Sequence, residues 1–88
     1  MQNQSEIIQT LIQYIINDLS ISGDITEISE EDDLLGDELI DSMGIMRLVA
    51  FIEKKYSMVI PPEDVRIENF MNVKAIANYI EQQNSAEN

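Results

Sequence analysis

A serine hydroxyl at the mouth of a helix is the most chemically useful arrangement in this chain. It lies in Leu39-Ile40-Asp41-Ser42-Met43-Gly44-Ile45-Met46-Arg47. Asp41 suits an N-cap, because its carboxylate can accept from the free amides of a first turn and favours the positive end of the helix dipole. Ser42 then takes the first helical position, facing solvent beside a site suited to anions, so a phosphate ester on its oxygen would sit in favourable electrostatics. Two features argue against hydrolase chemistry at this serine. A nucleophilic serine needs a nearby base, and the chain has no histidine. Ile40 stands where a nucleophile elbow has glycine.

The acidic run from Glu31 to Asp41 invites comparison with a calcium loop. With Gly36 at the sixth position, however, Leu35 falls on the fifth and Ser42 on the twelfth, where carboxylates are required. A loose divalent-ion site among these side chains stays open beside the plainer reading of a solvated acidic loop. Without cysteine or histidine there are no ligands for zinc or other soft metals, and no metal site is assigned.

With 17 acidic and 5 basic side chains the formal net charge is -12, which repels phosphate backbones and anionic membranes. Nucleic acid is therefore a poor partner. An acidic surface steers toward basic patches on proteins, or serves solubility alone. At 88 residues and 44% hydrophobic content the chain has enough apolar material for one small domain over 1–88 with a single core. No apolar run reaches the ~18 residues of a membrane span, and no basic-then-apolar leader opens the chain. A cytoplasmic protein, acting as a monomer, is expected.

The elements that must hold Ser42 follow from periodicity. Asn3-Gln4-Ser5-Glu6 resembles a capping box, and Ile7, Ile8, Leu11, Ile12, Ile15, Ile16 and Leu19 form one face of a first helix from about Gln4 to Leu19. Residues 20–40 lose the helical period and gather glycine and acidic residues, a long loop. Ile25, Ile28, Leu34, Leu35, Leu39 and Ile40 are spaced through it, so the loop is expected to wrap over the core. The central helix runs from Ser42 to about Tyr56, ahead of Pro61 and Pro62. Ile60 tucks inward, and a short third helix starts at Pro62, holds Val65 and ends near Glu68. Asn72 caps the last helix, with Val73, Ile76, Ala77 and Ile80 on its inner face. The ordered core spans about 4–83, with 84–88 a flexible tail.

The central helix carries two apolar sets. Ile45, Leu48, Val49, Ile52 and Tyr56 recur at the spacing of a core-facing stripe. Met43, Met46 and Ala50 point roughly 130° to 160° away, so one packing partner can hardly cover both sets. The second set is expected to be exposed beside Ser42, where methionine suits a surface that must fit several partners in turn. The alternative is one wide buried face.

Leu39-Ile40-Asp41-Ser42-Met43, Ile60-Pro61-Pro62-Glu63-Asp64 and Val73-Lys74-Ala75-Ile76 together resemble the acyl and peptidyl carrier proteins, over roughly Ile7 to Ile80. The resemblance implies an all-α four-helix bundle with a long loop between helices one and two and a short third helix. It implies that Ser42, with Asp41 as cap and motif partner, receives 4'-phosphopantetheine from coenzyme A through a separate, magnesium-using phosphopantetheinyl transferase. Substrates would then ride on the arm as thioesters, and the protein would be a carrier rather than an enzyme.

Fatty-acid members of that family often carry acidic residues along the second helix where Gly44 and Arg47 stand here. The Asp-Ser-Met-Gly run looks closer to free-standing aminoacyl or peptidyl carriers, including D-alanyl carriers, which points to nonribosomal-peptide-type biosynthesis. Implied partners are an adenylating loading enzyme and downstream acyl- or aminoacyl-using enzymes. They would read Met43, Met46, Arg47 and Ala50, and Arg47 calls for an apolar pocket with an acidic or neutral rim. A fatty-acid, polyketide or D-alanyl carrier stays open. So does a function of another class, an unmodified acidic interaction module on the same bundle.

Overall fold

A computed structural model describes residues 4–19, 27–36 and 40–86, with 84–86 described by backbone alone. The described residues are helical without strands: α1 (Gln4–Tyr14) continuing into a π-helical turn (Ile15–Leu19), α2 (Ser42–Tyr56), a 3-10 turn (Pro62–Asp64), α3 (Ile67–Phe70) and α4 (Val73–Ala86). This is the all-α arrangement of four helices, with a long first connection and a short third helix, expected of an acyl-carrier-like fold.

Apolar periodicity decides what each helix buries. Ile7, Ile8 and Leu11 of α1, with Ile15 and Leu19 of the wider turn, face the core, while Ile12 and Ile16 pack at its margin. The π-helical geometry of Ile15–Leu19 departs from the regular helix expected there; it keeps Ile15 and Leu19 inward while Asn17 and Asp18 stay exposed. α4 buries Val73, Ile76, Ala77, Tyr79 and Ile80 and packs mainly against α1 and α3. Near the ends of this core Tyr14 stacks on Phe51 with centroids 3.9 Å apart, tying α1 to α2. Apart from tyrosine, no polar or charged side chain is buried among the described residues.

The first connection is held to the far end of the fold by backbone bonds. The Leu34 amide donates to the Met71 carbonyl at 2.9 Å, and the Lys74 amide donates to the Glu30 carbonyl at 3.0 Å. That second bond satisfies one of the free amides opening α4, and the side chain of Asn72 accepts from Ala75 N–H at 2.7 Å to satisfy another. Asn72 is the expected cap. Ile28, Leu34 and Ile40 are buried, so this connection anchors as expected at those points. Leu35 does not: it is 40% exposed. Two neighbouring leucines cannot both face the core here, and Leu34 takes the inner position. Ile25 and Leu39 lie outside the described residues, as does Asn3 of the expected capping box.

The third helical segment is split rather than continuous. The 3-10 turn ends at Asp64 with Val65 as its C-cap, and Arg66 is extended at φ -123 and ψ 160 before α3 begins. Asp64 organises the break: its carbonyl accepts from Arg66 N–H at 2.9 Å and from the Asn69 side-chain amide at 2.8 Å. The interruption leaves Val65 half-buried and carries Phe70 into the core against Tyr79. α3 accordingly ends at Phe70, two residues past the Glu68 boundary that the sequence suggests. At the other end of the chain α4 runs to Ala86, past Gln83.

Candidate functional site

Ser42 is placed by the residues on either side of it. Ile40 is 1% exposed, and its amide donates to the Leu34 carbonyl at 3.1 Å, so the chain enters α2 from a fixed point in the core. Asp41 follows in extended geometry, with φ -103 and ψ -176, and its Oδ1 accepts from Gly44 N–H at 2.8 Å. The Asp41 carbonyl accepts the first intrahelical bond from Ile45 N–H at 3.0 Å. This is an N-cap in full, and it makes Ser42 the first residue of α2, exposed to solvent.

Gly44 is buried beneath the start of the helix. A Cβ there would lie 3.2 Å from Ile40 Cβ and 3.3 Å from Asp41 Oδ1. Both distances are tighter than ordinary contacts, so the missing side chain lets the first turn sit close on Ile40 while the cap bond forms. Of the two positions that set this helix apart from fatty-acid carriers, Gly44 is buried and Arg47 is exposed.

The two apolar sets of α2 separate in space. Ile45, Leu48, Val49 and Ile52 are buried, with Tyr56 partly buried at the end of the stripe. Burial pushes the Tyr56 phenol up from its ordinary range. Met43 is 75% and Met46 61% exposed, and Arg47 and Ala50 are exposed beside them. The reading of one wide buried face is thereby overturned. Each partner-facing candidate, Met43, Met46, Arg47 and Ala50, is thus on the solvent side of α2 next to Ser42.

Other exposed apolar side chains were not singled out by sequence. Val59, Ile67 and Met71 are 79%, 72% and 43% exposed. A helix as short as α3 shows too few turns for a periodic pattern to mark its outer face.

In the acidic connection, carboxylates serve the backbone. Asp32 Oδ2 accepts from Ser29 N–H and Asp33 Oδ1 from Gly36 N–H, each at 2.9 Å. Among the described residues no three acidic side chains converge as a cation site would require. Asp37 and Glu38 lie outside the described residues.

With an exposed serine heading a capped helix on an all-α fold, the chain matches a family model described as a phosphopantetheine attachment site, over residues 9–80. The chain belongs to this family of phosphopantetheine carriers. Comparison with curated proteins finds no significant match. Carriers of this family are not enzymes; their domain is the site of covalent 4'-phosphopantetheine attachment, and they work with a phosphopantetheinyl transferase and with partner enzymes. No helix among the described residues of this carrier is long and apolar enough to cross a membrane.

Proposed function

We propose that Ser42 carries the 4'-phosphopantetheine arm and that its cargo is aminoacyl or peptidyl, as in nonribosomal-peptide-type biosynthesis. The observation that supports this most is the bond from Gly44 N–H to Asp41 Oδ1, which turns the cap carboxylate into the helix and leaves the Ser42 hydroxyl exposed at the first position. The residues fit the group. The amides of Ser42 and Met43 have no acceptor within the helix, so they favour a phosphodiester on the neighbouring oxygen.

When bound, the arm supplies a flexible tether ending in a thiol that holds acyl groups as thioesters. The chain's own residues position it. Ile40 anchors the approach, Asp41 and Gly44 set the first turn, and Ser42 offers the oxygen. Met43, Met46, Arg47 and Ala50 present the surface that each visiting enzyme must meet. Arg47 supports an adenylating, amino-acid-activating partner over a fatty-acid partner built for an acidic helix. The visitors would be the transferase with coenzyme A, this loading enzyme and downstream aminoacyl- or acyl-using enzymes. We assign one carrier domain over 1–88, acting as a monomer in the cytoplasm.

The test is incubation with coenzyme A, magnesium and a broad transferase, followed by peptide mass spectrometry. The expected result is one phosphopantetheine on Ser42 and none on Ser42→Ala, which keeps its helical circular dichroism. Modification that persists in Ser42→Ala, or maps to Ser20 or Ser57, overturns the site. Faster loading of the modified protein by a fatty-acid acyltransferase than by adenylating enzymes overturns the cargo class.

A further inference from the structure

The charge on α2 runs opposite to that of the chain. The whole protein carries 5 basic against 17 acidic side chains, yet α2 contains Arg47, Lys54 and Lys55 with Glu53 as its one acid. Met43, Arg47, Ala50 and Lys54 follow one another at i, i+4, i+7 and i+11, a single row on the side facing away from the buried stripe. All four are exposed. The acidic groups nearest this row in sequence among the described residues are turned into backbone bonds. Asp41 accepts from Gly44 N–H, and Glu53 accepts from Ile60 N–H at 2.8 Å.

From this arrangement, and resting on the attachment of the arm at Ser42, we propose that the outward row of α2 docks on an acidic surface of the transferase that modifies this serine. An enzyme delivering a group to Ser42 must approach the first turn of α2, so it meets this row. Arg47 and Lys54 lie two helical turns apart, about 10 Å along the axis. The matching surface therefore places two carboxylates at that separation beside an apolar pocket for Met43. Net charge does not override this match. Salt screens exposed charges beyond about 8 to 10 Å, whereas the molecule's shortest dimension is 20 Å. Carboxylates on the far side are consequently felt weakly at the contact, where Arg47 and Lys54 are the charges of the exposed row.

The experiment uses two phosphopantetheinyl transferases chosen for opposite charge around the mouth of their coenzyme A site, one acidic and one basic. Substrates are the wild type, Arg47→Glu/Lys54→Glu, and Lys55→Glu/Lys74→Glu, which reaches the same net charge with the outward row intact. The acidic-mouthed enzyme is expected to show the lower KM for the wild type. Its KM should rise about tenfold or more for Arg47→Glu/Lys54→Glu and less than about threefold for Lys55→Glu/Lys74→Glu, with kcat nearly constant. Equal effects of the two double variants mean that net charge alone acts, and overturn the proposal. A wild-type preference for the basic-mouthed enzyme overturns it too. Failure of both enzymes to modify wild-type Ser42 strikes instead at the attachment site, and the docking proposal falls with it; circular dichroism confirms that each variant is folded.

Discussion

Glu53 and Ile60 are joined across the end of α2: the Glu53 carboxylate accepts from the Ile60 amide at 2.8 Å. The Glu53 carbonyl also accepts from Ser57 N–H and from Met58 N–H, so one residue closes the helix and fixes the strand of chain leading to Pro61. Met58 and Ile60 are both buried as a result. Glu53→Ala leaves the Ile60 amide unsatisfied and is expected to cost about 1 to 3 kcal/mol, with Glu53→Gln losing less because its amide oxygen can still accept. Urea unfolding of the two variants measures the difference.

Ser57 ends the same helix with φ 52 and ψ 50, left-handed backbone that disfavours a Cβ. Ser57→Gly removes that strain at the position where helices most often place glycine. A stabilisation of about 0.5 to 1 kcal/mol is expected, smaller than the strain itself because glycine also loosens the unfolded chain. The thermal midpoint should rise without a change in helical content.

Tyr79 donates its hydroxyl to Asp64 Oδ2 at 2.7 Å. Burial, and then this bond to a carboxylate, push its phenol up to about 12. Because the folded value lies above the ordinary value near 10, the neutral phenol is favoured on folding. That contribution is complete below about pH 10 and is lost as the pH rises toward about 12, by no more than about 3 kcal/mol. Thermal midpoints across this range should fall for the wild type and fall less for Tyr79→Phe, with Tyr56 supplying remaining slope. Phenolate absorbance checks the titration directly.

The two sides of α2 should respond differently to truncation. Leu48 and Ile52 are 0% exposed and Ile45 6%, so each alanine variant is expected to lose about 2 to 5 kcal/mol. Met46 is 61% exposed, and Met46→Ala should leave stability nearly unchanged while weakening docking to the loading enzyme. Calorimetry and loading kinetics on the same four variants separate the two effects.

Self-repulsion follows from a net charge of -12 on a small domain. Moderate salt or millimolar divalent cations should raise the thermal midpoint by screening it. A flat response from low to moderate ionic strength shows that repulsion is not a significant term.

What the sequence determined is what depends on near neighbours along the chain. The Asp41 cap, the Asn72 cap and the buried stripe of α2 all follow from side chains three or four residues apart, a spacing that helix geometry turns into contact. The hydroxyl of Ser42 at a solvent-facing helix start belongs to the same class, and was legible before any packing was known. Tertiary structure decided what depends on residues far apart. The bonds from Lys74 to Glu30 and from Leu34 to Met71 leave no periodic mark, because backbone groups pair without regard to side-chain type. Those bonds, with the core, choose Leu34 over Leu35 for burial. Packing of Phe70 and Tyr79 accompanies the break after Asp64 that splits the third helical segment.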